Sequence, residues 1–229
     1  MHDPFSQPGR KPPFHGGPGS RQPVFNVPPV TLSAALAIVA VYGLIQLLLP
    51  GIERLVVAFS VVPARIAQTL ADPGVGTVLR DGASLVTHAL IHTELLHMAV
   101  NAGFLLAFGS FCERALGRDH YIWLLIGSAI GGAVVQVVMD WGAILVMFGA
   151  SGAVSGCMGG MVRVLLRPGS DPQRRRFALT FVAVLFVLNM VLGQLGPGVM
   201  GVDAQIAWEA HIGGFLAGFL IAGRGTRHA

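Results

Sequence analysis

Charge is scarce in this chain. Asp, Glu, Lys and Arg together make up 11% of its 229 residues, against about 25% in soluble globular domains. So few charges cannot clothe a water-facing surface. With 53% hydrophobic residues and a mean hydropathy of +0.68, the chain belongs in a bilayer. Cysteine is nearly absent too: Cys112 and Cys157 stand far apart, in or beside apolar stretches. Two such residues give no disulfide framework, zinc cluster or redox motif, and packing is their plain role. The sequence pI of about 9.8 would suit a nucleic-acid partner. The basic residues form no stripe, however, and the aromatics no stacking platform, which excludes that class. The N-terminus also lacks the apolar core and cleavage site of a signal peptide, so the first apolar segment is expected to be retained.

What is present is apolar and segmented. Residues 1–29, with Gln7-Pro8-Gly9-Arg10-Lys11-Pro12-Pro13 and Gly16-Gly17-Pro18-Gly19, show no apolar periodicity and read as a flexible tail. Six apolar segments follow, at roughly 30–49, 84–112, 120–141, 151–166, 177–196 and 205–223, each read as a membrane helix. The expectation is an all-α polytopic membrane protein. One six-helix domain covers residues 30–223, and a short basic tail covers 224–229. The second segment is overlong and polar at its start, which puts its first turns near the interface. The fourth is short and rich in glycine (Gly152, Gly156, Gly159, Gly160). About 16 helical residues span only about 24 Å, less than the hydrocarbon layer. Such a helix can begin inside the membrane where protein or a cavity shields the preceding loop.

Charge sets the orientation. Of the 15 Lys and Arg residues, only Arg54, Arg65 and Arg80 lie on one side of these segments, and twelve lie on the other. The positive-inside rule then places both termini in the cytoplasm. The loop from Gly51 to Gly82 is external, and Ile52 to Leu70 is suited to lie along the interface. The absence of an organelle-type presequence is compatible with a bacterial cytoplasmic membrane.

Ser151 follows Gly149-Ala150 and opens the fourth segment. Taken alone it is either a helix cap or a nucleophile backed by the free N–H groups and positive end of the helix. His211, in the sixth segment, is alone either a proton relay, an interhelical hydrogen bonder or a base. Gly214 and Gly218 form a Gly-x-x-x-Gly face that allows close helix approach and would bring His211 to Ser151. A hydroxyl and an imidazole at matching depth are the parts of a nucleophile–base pair. His97 and Asn101, four residues apart, share a helical face and can donate hydrogen bonds to an oxyanion. His88 and His92 have the same spacing. It suits a metal or haem, but no further ligand set accompanies them, and structural hydrogen bonding is the plainer reading. No metal or cofactor is called for.

Together these residues resemble the rhomboid intramembrane serine proteases. The matching elements are His97-Met98-Ala99-Val100-Asn101, Gly149-Ala150-Ser151-Gly152, and Ala210-His211-Ile212-Gly213-Gly214 with Gly218. Glu113-Arg114-Ala115-Leu116-Gly117 resembles the family's structural Glu-x-x-x-Gly turn. The resemblance implies a six-helix rhomboid-like bundle in which Ser151 attacks the scissile carbonyl. His211 serves as general base and then acid, and His97, Asn101 and the Ser151 N–H form the oxyanion hole. It implies single-span membrane proteins as substrates, cleaved near their external end at small residues in a segment with helix breakers. The fifth segment, with Phe177, Phe181, Phe186 and Leu188, becomes a lateral gate. Asn189 and Gln194 there either bond a substrate helix or pack within the protein. Two positions depart from the family's pattern. Ser155 stands where a tyrosine often packs on the catalytic histidine, and the external loop lacks the Trp-Arg pair of some members. Two other readings fit the same sequence. One is a weak or inactive rhomboid-like protein that binds membrane clients. The other is a small transporter or channel using the histidines for proton transfer, for which no clear internal repeat or charged pathway is visible.

Overall fold

The computed structural model describes residues 26–49, 51–195 and 207–224. Most of the expected N-terminal tail, residues 225–229 of the basic tail and residues 196–206 lie outside the described residues, as do the side chains of Asn189 and Gln194.

The first helix, α1 (Pro29–Leu48), starts with proline at its first position, where a missing N–H costs nothing. Its buried residues Thr31, Ala35, Ile38 and Ile45 recur at helical spacing and form one stripe. The cap for its N-terminus comes from elsewhere in the chain. The Glu113 carboxylate accepts hydrogen bonds from the Val30 N–H (3.1 Å), the Thr31 N–H (2.8 Å) and the Thr31 hydroxyl (2.8 Å). Backbone donors that α1 cannot satisfy itself thus meet a negative charge at the helix's positive end.

Three short helices follow: α2 (Glu53–Phe59), α3 (Pro63–Ala71) and α4 (Val75–Thr87). The stretch from Gly51 to Gly82, read from sequence as a loop with an interfacial part, is therefore a small helical cap. The second apolar segment, expected from residue 84, also divides. A 3₁₀ turn at His88–Leu90 and extended residues up to Glu94 separate α4 from a helix that begins at Leu95. The break carries His88, His92, Thr93 and Glu94, but a window of span length averages them with the apolar residues on both sides, so hydropathy alone merges the two pieces. Local polar bonds mark it instead. The Thr87 hydroxyl donates to the Phe59 carbonyl (2.8 Å), and His88 Nδ1 donates to the Ser84 carbonyl (2.9 Å).

The continuous helix Leu95–Leu116 consists of α5 (Leu95–Phe104), a π-helical segment (Leu105–Gly109) and α6 (Ser110–Leu116). Gly117, at φ +81°, makes the sharp turn into α7 (Arg118–Met139). Then come α8 (Ser151–Leu165), α9 (Pro172–Leu195) and α10 (Trp208–Arg224). Three described stretches, Pro29–Leu48, Leu95–Leu116 and Arg118–Met139, are long and apolar enough to cross a membrane. Among the described residues the only β pairing is an isolated bridge between Val61 and Met147.

The centre of the bundle is α8, packed against α10 backbone to backbone and against α7 largely through side chains such as Ser128 and Leu124. A Cβ added at Gly214 would strike the Gly152 backbone, and one at Gly218 would strike the Gly156 backbone. At Gly132 on α7 it would come within 2.7 Å of the Ala210 carbonyl on α10. Glycine at these positions permits backbone-to-backbone approach where lipid offers no hydrophobic drive for association. By contrast α9 leaves an apolar cavity of about 210 Å³ between itself, α8 and α10, lined by Val162, Leu179, Val182, Ala183, Phe186 and Phe215.

Candidate active site

Ser151 is the first residue of α8 and is half-buried. The chain reaches it through Gly149 at φ +117°, a conformation that L side chains rarely adopt. Space demands glycine there as well. A Cβ at Gly149 would lie 2.7 Å from His97 Cε1 and 2.8 Å from Nε2. The His97 ring thus rests on the backbone two residues before Ser151.

Backbone bonds fix the same turn from the other side. The Gly149 N–H donates to the His88 carbonyl (2.9 Å), and the Ala150 N–H donates to His92 Nε2 (3.3 Å). His92 is fully buried, and its ring meets the edge of His97 with centroids 4.9 Å apart. Phe148 adds a tilted ring 6.4 Å from His97. On the next turn of α5, the buried Asn101 donates one amide hydrogen to the His97 carbonyl (2.9 Å). A side-chain amide has a second hydrogen to donate and an oxygen that accepts.

His211 is buried on α10. The residue before it, Ala210, places its carbonyl 3.6 Å from where a Cβ on Gly152, the residue after Ser151, would stand. The residue after Ser151 and the residue before His211 therefore meet at the α8–α10 seam, where Gly152, Gly214 and Gly218 allow close approach. Glu113 lies at the opposite end of its helix and caps α1.

One stretch of chain decides the family. Residues 79–227 match the Rhomboid domain model. The chain belongs to the rhomboid family. It is 30% identical over 137 residues to RHOMBOID-like protein 5 of Arabidopsis thaliana, a match covering 60% of this chain and 42% of that protein. It is 28% identical over 138 residues to Rhomboid protease GluP of Bacillus subtilis (strain 168), covering 60% and 25%. Rhomboid protease AarA of Providencia stuartii is 27% identical over 154 residues, covering 58% and 52%. The chain thus spans from a quarter to about half the length of these curated relatives. Family and apolar helices together make it an integral membrane protein.

Within this rhomboid chain, Ser155 is buried on α8 one turn beyond Ser151. Among the described residues no group of three or more His, Cys, Asp or Glu side chains is arranged to hold a metal ion. Sequence reasoning gave His88 and His92 only a general structural role. Their specific partners, the two amides that lead into Ser151, come from a loop about 60 residues away, and spacing carries no signal of that.

Proposed function

We propose that this chain is an intramembrane serine endopeptidase acting through a Ser151–His211 dyad. The observation that carries the reading is the union of two features at one point. Ser151 opens α8 behind a left-handed glycine, and the segment of α10 bearing His211 is drawn onto α8 by glycine-to-glycine packing. The names of GluP and AarA, both rhomboid proteases, agree with it.

In this mechanism His211 takes the Ser151 proton as Oγ attacks the scissile carbonyl. The carbonyl π electrons move onto oxygen, giving a tetrahedral oxyanion. The Ser151 N–H, the Asn101 amide and His97 donate to that oxygen. His211 then protonates the leaving nitrogen as the C–N bond breaks, and water, activated by the same histidine, releases the acyl group from Ser151. The substrate is a single-span membrane protein, locally unwound so that its carbonyl is open to attack. The apolar cavity under α9 favours lateral entry beside that helix. Six spans with both termini cytoplasmic, in a bacterial-type inner membrane, complete the reading, with residues 30–223 as the membrane domain.

The test is cleavage of a fluorescent single-span substrate by purified protein in lipid, beside Ser151→Ala and His211→Ala. Turnover lost in both variants supports the dyad. A folded parent that cuts none of several substrates moves the assignment to a client-binding rhomboid-like protein. Ser155, buried below Ser151 without a stacking ring, is the feature that favours this second reading.

A further inference from the structure

The proposed chemistry uses His97, Asn101, Ser151 and His211 and leaves His92 without a part. Yet His92 is fully buried and touches both halves of the machinery. Its Nε2 receives the Ala150 N–H (3.3 Å), one peptide before the nucleophile, and its ring packs edge-on against His97. Its Nδ1 faces the Leu90 carbonyl at 3.4 Å. A nitrogen that receives an amide hydrogen must carry a lone pair, and a nitrogen facing a carbonyl must carry the proton. The bonding pattern therefore defines one state, the neutral imidazole protonated on Nδ1.

We infer that His92, in this tautomer, is a positioning residue that aims Ser151 and braces His97 together. The inference rests on the serine-protease reading above. A buried amide without an acceptor loses free energy and turns to find one. If Nε2 is removed, the Ala150 N–H is free to rotate toward the pocket. The Gly149–Ala150 peptide then swings, and Ser151 Oγ moves with it. The His97 ring, wedged between the Gly149 backbone and His92, loses its wall at the same time. Small errors in the pose of a reacting group are costly in rate while leaving remote substrate binding intact.

The experiment compares His92→Gln, whose Oε1 can stand in for the Nε2 acceptor, with His92→Leu, which fills the space without one. In lipid, the Gln variant is expected to keep kcat within about threefold of the parent. The Leu variant should lose about 10- to 100-fold in kcat with KM unchanged. Equal loss in both variants, with both folded by thermal unfolding, overturns the inference, as does a Leu variant of parental kcat. A second measurement needs no active variant. The ¹⁵N spectrum of histidine-labelled protein, with His92 assigned by its disappearance in His92→Gln, should show Nδ1 protonated and Nε2 bare. A protonated Nε2 overturns the inference. If turnover of the parent survives Ser151→Ala, it is the serine-protease reading that fails, and the spectrum still decides whether His92 holds the Ala150 amide.

Discussion

Two regions of this molecule solve the same problem, fixing helices to one another near Ser151, with opposite chemistry. The cap of α2, α3 and α4 is tied by charge. Arg65 donates to Asp81 (2.7 Å) and to the carbonyls of Val57 (2.8 Å) and Ser60 (2.6 Å). Thr69 and Arg80 donate to the same carboxylate, at 2.7 and 2.9 Å. The seam of α7, α8 and α10 is tied by the absence of side chains. Glycines there let backbones touch, and no charged group takes part in the contacts at Gly132, Gly152, Gly156, Gly214 and Gly218. Outside the spans, ions and strong directional bonds can hold small helices that bury little surface. Between helices in lipid, burial drives nothing, and dispersion at close range must serve. The two regions join at the turn before Ser151. Val61 of the cap and Met147 of the turn exchange both backbone bonds, at 3.0 and 2.8 Å, and the Ala64 N–H reaches the Ala143 carbonyl at 3.0 Å.

The largest effect should fall on α5, which belongs to neither region. Asn101→Ala is expected to lower kcat by about 10²–10³, because a transition-state donor is lost, and to cost about 1 kcal/mol of stability through the missing bond to the His97 carbonyl. An unchanged rate removes Asn101 from the mechanism. Next comes the seam. Gly214→Val drives a branched side chain into the Gly152 backbone and should cost about 3 kcal/mol of stability, taking turnover down with it. A normal thermal transition in bicelles would refute the close-packing account.

The cap should respond differently, to pH rather than to volume. Burial by itself opposes ionisation of Asp81, but the hydrogen bonds from Arg80 and Thr69 and the charges of Arg65 and Arg80 outweigh it and hold the carboxyl below its usual range. A folded-state value below the unfolded one means that the stabilisation is fully present above the unfolded value, about 3.9. It is lost as pH falls through the folded value. Asp81→Asn should therefore destabilise the parent by about 2 kcal/mol at neutral pH and flatten its acid limb below about pH 4. Unfolding scans across pH check this, and an acid limb identical in both proteins would exclude Asp81 as its source. The smallest effect is expected from Thr69→Val, about 1 kcal/mol, for one hydroxyl donated to the same carboxylate. The ranking of seam above cap fails if the two cap variants prove more disruptive than Gly214→Val.

Much of this arrangement can be read before any coordinates. The ends of α1, α7 and α8 fall within two residues of the apolar segments at 30–49, 120–141 and 151–166, because uniform hydropathy with Pro or Gly at the borders marks an apolar helix. The Gly-x-x-x-Gly pair at Gly214 and Gly218 announces a close seam, since few other roles need that spacing in an apolar helix. The break between Thr87 and Leu95 is hard to see by the same logic, because a window of span length averages His88, His92, Thr93 and Glu94 with the apolar residues on either side. The cap is hidden for a related reason. Its stability comes from Arg65 and Asp81, 16 residues apart and without a shared periodicity. At the site, the order of the motifs names His97, Asn101, Ser151 and His211 as candidates. It cannot say which nitrogen of His92 bears a proton, since that depends on an amide supplied by a distant loop.

The π-helical segment at Leu105–Gly109 acts as a phase shifter. Asn101 and Glu113 are twelve positions apart and both buried. In an uninterrupted α-helix, about 100° per residue would leave them about 120° out of alignment. A π-bulge absorbs one residue, which brings the two to within about 20° of each other. One helix can thereby present Asn101 to the serine turn at one end and Glu113 to the first helix at the other. Removing a single residue inside Leu105–Gly109 should convert it to plain α-helix and leave both ends in register. Removing one residue on either side should rotate one end out of the bundle. Comparing folding yields of the two kinds of deletion would reveal whether the helix is indexed in this way.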